Sequence, residues 1–346
     1  MIRVLSIGEF DPCEVILRHR DALRKFYGSE IDSRIALHFG HTDGQRKADW
    51  VHSAWNLSVG GTVFEAKLFQ TRPPMDGWAD LLEFAKSADV IQFLPGIGQP
   101  WGSGPRLPRI DEDAPICPFM DIATWESFAL KARARVAYFH GSVNTWANRD
   151  HYARKFEGYT LATSTLDYAC ELPAFYLPPV GPVCGEPAAL RGDDDPLLVA
   201  HTPTHPDNCH TAPFLHACHT LGIVANYRGG WLEHDRVLDL KRGSNAGFDH
   251  LRGSFSVNSL ENCTLGLANI VGLKSSYRQR LVSEGFRTMP GPSVESVGDM
   301  QGALRLLRDD PGFTRSLQTQ CREWATAEFE EKRIATRVLE FYRGLL

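Results

Sequence analysis

Short runs of apolar and β-favouring residues recur along the chain at Arg3–Ile7, Val63–Phe69, Val90–Leu94, Val136–Phe139, Thr160–Thr163, Leu197–His201, Gly222–Asn226, Ala246–Phe248 and Asn269–Gly272. Between them, Glu14–Phe26, Trp78–Ser87, Ile122–Arg133, Pro213–Leu221 and Leu260–Leu267 carry the apolar spacing of helices. Strands that are apolar on both faces, each followed by a helix, predict parallel sheets covered on both sides. From Val297 onward the pattern is helical only. Met300, Leu304 and Leu307 repeat at helix spacing, and Asp309-Asp310-Pro311-Gly312 is a break. Beyond it, Leu317, Cys321, Trp324, Phe329, Ile334, Val338, Phe341 and Tyr342 form an apolar stripe on charged helices, whose charges read as a solvated face.

The pattern is interrupted between Pro178 and Pro196. This segment holds Pro179, Pro182, Pro187, Gly181, Gly185, Gly192 and the acidic run Asp193-Asp194-Asp195, a composition that disfavours regular structure. It divides the chain into a Rossmann-like domain at 1–180, a linker at 181–196, a second Rossmann-like domain at 197–325, and a last helix at 326–346. The length of 346 residues agrees with two domains.

Hydrophobic residues make up 43% and charged residues 23%, which excludes a largely disordered chain, a collagen-like repeat and a disulfide-stapled miniprotein. The net charge of −5 is spread over both halves, so a nucleic-acid partner would need a local basic groove. Eight scattered cysteines without a C-x-x-C pair read as reduced thiols. The chain enters a strand directly at Ile2 with no leader-like segment, and the uncharged stretch Val90–Pro105 is broken by glycines and prolines. A cytoplasmic setting without a membrane span is expected.

Four segments carry candidate chemistry. Gly96-Ile97-Gly98-Gln99-Pro100-Trp101-Gly102 follows a strand, but Pro100 and Trp101 stand where a dinucleotide loop needs a helix start, so it reads as a loop at a sheet edge. His201 to His210, followed by His216, Cys218 and His219, is rich in metal-ligand types. It lacks the spacing of a structural zinc site, so no metal is assigned and the segment reads as a ligand-facing loop entering a helix. His140, in Tyr138-Phe139-His140-Gly141-Ser142, ends a strand, and a functional and a structural histidine are both open there. Gly253 to Asn262 joins a Gly/Ser-rich loop to a helix. Its amides suit phosphate oxygens, and Glu261 suits ribose hydroxyls or simply complements the helix dipole.

In their order and spacing these segments resemble the GT-B-fold glycosyltransferases, especially the retaining family-4 type. The resemblance runs through Ala88-Asp89-Val90-Ile91, Tyr138 to Ser142, Ala162 to Leu166 and Ala174 to Pro179 in the first domain. In the second it covers His201 to Thr211, Phe248-Asp249-His250, Ser254 to Glu261 and Leu265 to Ile270, and the ending from Glu328 to Tyr342 looks like that family's tail. Two departures stand out. The basic pair of the catalytic loop falls near His205-Pro206 and Cys209-His210, so its lysine is absent, and the first glutamate of the two-glutamate motif is Gly253.

The resemblance implies an α/β GT-B-like fold. Two Rossmann-like domains would face each other across a cleft, and the C-terminal helices would cross back to the first domain. It implies transfer of a sugar, hexosyl or pentosyl, from a nucleoside-diphosphate sugar to an acceptor hydroxyl, with no tightly bound cofactor. Glu261 would hold the ribose, while Thr204, Ser256, Val257, Asn258 and Ser259 would face the donor. Arg228, Lys241, Arg252 or a protonated His205 would supply positive charge to the diphosphate. His140 and Asp249 are counted with the catalytic groups. The acceptor is expected to be a glycan, a lipid-linked sugar or a small molecule. A phage-type enzyme acting on hydroxymethylated pyrimidines in DNA is a second reading. A catalytically silent nucleotide-sugar-binding protein is a third, motivated by the two departures.

Overall fold

The computed structural model describes residues 1–8, 15–41, 48–55, 78–94, 122–139, 156–203, 206–230, 232, 234–251 and 254–346. The chain forms two compact units. Unit 1 comprises Met1–Ser164, Leu172–Val180 and Glu331–Leu346, and unit 2 comprises Thr165–Glu171 and Gly181–Glu330.

Unit 1 is built on a parallel sheet of β1 (Ile2–Gly8), β2 (Ile31–His41), β3 (Trp50–Trp55), β4 (Val90–Leu94), β5 (Ala134–Phe139), β6 (Thr160–Thr163) and β7 (Phe175–Tyr176). The strands lie in the order β3-β2-β1-β4-β5-β6-β7. Successive side chains in a strand face opposite sides, and both sides are covered here. Leu5, Ile7, Ile91, Phe93, Ala137 and Phe139 pack with Leu81, Phe84 and Ala85 of α2 (Trp78–Lys86) and Ala129 of α3 (Ile122–Lys131). On the opposite parity, the buried Gln92 donates to Ser6 and accepts from the Tyr342 hydroxyl at 2.9 Å. Tyr342 belongs to α11 (Glu331–Gly344), which packs on α1 (Val15–Tyr27).

The strand patterns at Val90–Leu94, Thr160–Thr163 and Ala246–Phe248 match the observed bounds, while Val63–Phe69 and the loop at Gly96–Gly102 lie outside the described residues. β2 and β3 lack a clear apolar signal. In β2, Asp32, Ser33 and Arg34 interrupt the run. Their polarity is absorbed locally, because Arg34 binds Asp32 through two nitrogens and its guanidinium lies over the Phe84 ring.

Unit 2 carries a parallel sheet of β8 (Leu198–His201), β9 (Val224–Tyr227), β10 (Ala246–Phe248) and β11 (Ala268–Ile270), ordered β11-β10-β8-β9. The helices between these strands are α5 (Thr211–Leu221), α6 (His234–Arg242) and α7 (Val257–Leu265), while α4 (Leu166–Glu171) joins the unit from earlier in the chain. α5 and α7 both end on glycines in the left-handed region, Gly222 (φ 65) and Gly266 (φ 77), which close the last turns and release the chain into the next strand. Further on come α8 (Ser275–Ser283), α9 (Val297–Asp309) and α10 (Pro311–Glu328). The break in the helical tail is a junction: Asp310 caps α10 by accepting from the Phe313 amide, and Pro311 starts the helix.

The segment 181–196 has no regular structure, yet it is packed against unit 2 rather than hanging free as a linker. Cys184 and Ala188 join a core with Ala200, Leu238, Leu265 and Leu267. The buried Arg191 donates to the Leu307 and Arg308 carbonyls at the end of α9 and to the Asp195 carbonyl. Unit 2 extends through Glu330, and the chain rejoins unit 1 at Glu331. Among the described residues the cysteines form no disulfide.

Candidate functional site

β8 lies between β9 and β10, so the chain leaves β8 to one side through α5 and returns past it to β10 through α6. Such a reversal opens a crevice at the carboxyl ends of the strands, the usual ligand position in open parallel sheets. The residues that follow β8 and β10, and the first turn of α7, meet there.

Two polar networks occupy this place. The first is centred on Asp249, buried directly after β10. Its carboxylate accepts from the Ser256 hydroxyl at 2.7 Å, the Ser259 hydroxyl at 2.6 Å, the Asn258 side-chain amide at 3.2 Å and the Ser256 backbone N–H at 3.2 Å. Burial alone would raise its pKa. The His250 charge nearby and the hydrogen bonds from Ser259, Ser256 and Asn258 outweigh that and hold it below the ordinary carboxylate range. Ser256 is also the N-cap of α7, accepting from the Asn258 N–H at 3.1 Å, and the Thr202 hydroxyl donates to the Asn258 side chain at 3.2 Å. Asp249 therefore fixes the loop entering α7, with both carboxylate oxygens engaged from within the protein. That is the geometry of an anchor, not of a group open to a reacting atom as its place among the catalytic groups required.

The second network is centred on Glu261 in the second turn of α7. Lys241 donates to Oε2 at 2.5 Å and reaches the Asn258 carbonyl at 3.4 Å, while His234 Nε2 donates to Oε1 at 2.8 Å. His234 and Lys241 stand two turns apart on α6 and so share a face. Burial would raise the Glu261 pKa, but the Lys241 charge, then the His234 bond and charge, pull it down to about 2. The carboxylate is therefore ionised throughout the physiological range.

This places Lys241 differently from expectation. Its side chain is 1% exposed and committed to Glu261, so it is not presented to a diphosphate. Arg228 follows β9, with an exposed side chain and its N–H bonded to the His201 carbonyl. Asp249, Ser256, Asn258, Ser259, Glu261 and Lys241 are brought together, and Val257 lies half-buried in the first turn of α7. His140, Thr204, His205 and Arg252 lie outside the described residues. Of the histidine-rich segment, His201 is structural. Its Nδ1 donates to the Phe248 carbonyl at 3.0 Å, so Nε2 accepts from the Thr211 hydroxyl at 2.8 Å, and burial lowers its pKa to about 4. Among the described residues no cluster of His, Cys, Asp or Glu could hold a metal ion, and no helix is long and apolar enough to cross a membrane.

His234 was not visible in the sequence as a site residue. The one signal that could have found it is its two-turn spacing from Lys241 on a single helix face.

No protein-family model matches the chain, and no curated protein matches it in sequence. Solved structures do match along its whole length. Sucrose-phosphate synthase from Thermosynechococcus elongatus aligns at 10% identity and TM-score 0.56, covering 100% of this chain and 99% of its own. Anabaena HepE, crystallised with UDP and glucose, aligns at 11% identity and TM-score 0.57, covering 99% of this chain and 100% of its own. A glycosyltransferase from Rickettsia africae aligns at 12% identity and TM-score 0.57, covering 99% and 98%. The chain therefore has the α/β GT-B fold, with two Rossmann-like units built on parallel sheets.

Proposed function

We propose that the chain is a glycosyltransferase that takes its sugar from a nucleoside-diphosphate sugar held at the carboxyl edge of the unit 2 sheet. The observation that carries this reading is Glu261: an ionised, buried carboxylate fixed beside the switch point of a parallel sheet, on a helix whose start is rigidly capped. In this reading Glu261 accepts from ribose hydroxyls. The first-turn amides of α7, from Ser256 to Ser259, face the diphosphate, where a helix start favours anions. Arg228 supplies positive charge toward the leaving group, together with a protonated His205, and His140 acts at the transferred sugar. The fold shared with HepE, whose crystals contain UDP and glucose, supports a nucleoside diphosphate as the leaving group. The reading extends to a retaining outcome and to a glycan, lipid-linked or small-molecule acceptor.

A ligand at one hundred times its Kd stabilises a protein by about 2.7 kcal/mol. Uridine, guanosine, adenosine or thymidine diphosphate is therefore expected to raise the melting temperature of the wild type by several degrees. Glu261→Gln, which keeps the shape and removes the charge, is expected to lose most of that rise. Alanine is a poorer choice here, because it leaves the Lys241 ammonium buried without a partner. No shift with any of the four diphosphates would sink the reading. Release of nucleoside diphosphate from the sugar-bearing donors then separates an active transferase from a silent binding protein.

A further inference from the structure

The two oxygens of Glu261 are held from different sides. The partner of Oε2 is Lys241, 1% exposed and enclosed between α6 and α7, and the partner of Oε1 is His234, 49% exposed. Oε1 is thus the oxygen whose protein partner reaches solvent, and a ligand that displaces an exposed partner from the carboxylate meets His234 there. An ionised carboxylate only accepts, so the Nε2 atom at 2.8 Å must be the donor in either protonation state of the ring. A ribose hydroxyl is a donor of the same kind, aimed at the same oxygen. Lys241 does not compete in this way, because it is walled in behind the carboxylate.

We propose that His234 is a specificity-determining residue that occupies the outer oxygen of Glu261 until a ribose hydroxyl takes it over, so that nucleotide affinity falls as the imidazole protonates. This rests on the nucleotide reading of the site. Protonation adds a unit positive charge to a donor that already faces an ionised oxygen, turning a hydrogen bond from a neutral ring into an ion pair, and the ribose must then displace the stronger partner. Glu261 does not relieve this by protonating, since its own pKa is about 2. Among the described residues, the ionisable groups around His234 include Glu261 from α7, Lys241 on the far side of the same carboxylate, and Asp235 and Arg236, both exposed, beside it on α6. Of these, Glu261 is the one bonded to its Nε2 atom, and it stays ionised between pH 5.5 and 8.

The test is calorimetric titration of uridine diphosphate, with guanosine and adenosine diphosphates in parallel, into wild type and His234→Phe at pH 5.5 and 8. The ligand's own protonation cancels in the ratio of the two Kd values. That ratio, wild type over variant, is expected to rise about fivefold on going from pH 8 to 5.5, the worth of a half-exposed ion pair. With the 2′,3′-dideoxynucleotide, which has no hydroxyl to claim the oxygen, it is expected to stay flat. A ratio that does not change with pH, or a variant that binds more weakly at both pH values, overturns the proposal. In that case loss of binding in Glu261→Gln at pH 8 still upholds the nucleotide site. If wild type binds none of the three diphosphates at either pH, the site reading falls and this proposal with it.

Discussion

Replacing Lys241 by methionine leaves the Glu261 carboxylate buried, with only the half-exposed His234 to offset its charge. Two estimates give the cost. The Glu261 pKa lies at about 2 against an ordinary value of 4.5, and at about 1.4 kcal/mol per unit that gap amounts to about 3 kcal/mol of stability at neutral pH. Removing one partner of a buried ion pair costs about 3–5 kcal/mol. Lys241→Met is therefore expected to destabilise unit 2 by about 3 kcal/mol, or about 10 °C in Tm for a domain of this size. The double variant Lys241→Met with Glu261→Leu removes both charges and is expected to recover most of that loss, as buried pairs replaced by apolar groups commonly do. Urea and thermal unfolding followed by circular dichroism, at pH 7 and pH 3, measure all four proteins of the cycle. The folded carboxyl has a lower pKa than the unfolded one, so its contribution is full above about pH 4.5 and is lost as pH falls toward 2. The gap between wild type and Lys241→Met should narrow accordingly. A loss in Lys241→Met below about 0.5 kcal/mol would refute the reasoning. So would a double variant as unstable as the two single changes added together.

Two further outcomes follow from buried groups. His201 is buried neutral, with a pKa of about 4 against 6.5, so the unfolded chain binds a proton first as pH falls; stability should decline between pH 6.5 and 4, and His201→Phe should flatten that decline in an acid titration monitored by fluorescence. Arg191→Met should lower the urea midpoint by the equivalent of about 3 kcal/mol, because it strips the Leu307 and Arg308 carbonyls of a charged donor; an unchanged midpoint would mean that the 181–196 segment is held by its apolar contacts alone.

The sheets were legible where a strand is apolar on both faces, as at Val90–Leu94, because a doubly covered parallel strand reads as a short, nearly continuous apolar run. They were not legible at β2, where Asp32, Ser33 and Arg34 look like a loop until Asp32 and the Phe84 ring are seen to accommodate Arg34. α6 was missed for a similar reason. Its sequence is charged along most of its length, and its buried Leu238 and Lys241 depend on tertiary partners for their burial. In the site, the choice of Glu261 as a candidate rested on a resemblance to a known motif, which says nothing of its partners. Lys241 and His234 come from another helix, and sequence spacing carries no record of which helix packs on which. The anchoring role of Asp249 had a signal that went unused. Ser256, Asn258 and Ser259 after it are the short polar side chains that cap helix starts and satisfy a buried carboxylate.

The composition of unit 1 bears on how the chain matures as it is synthesised. Its sheet is drawn from the first 180 residues, but α11, which packs on α1 and places Tyr342 against the buried Gln92, is made only after all of unit 2. Lys25 pairs with Glu331 and Tyr27 with Thr336, so ties of more than 300 residues along the chain complete this unit. Every piece of unit 2 has been made by Glu330. Domains usually finish folding in the order in which they emerge from the ribosome. Here the second unit can close first, while the first waits for α11 with part of its core uncovered.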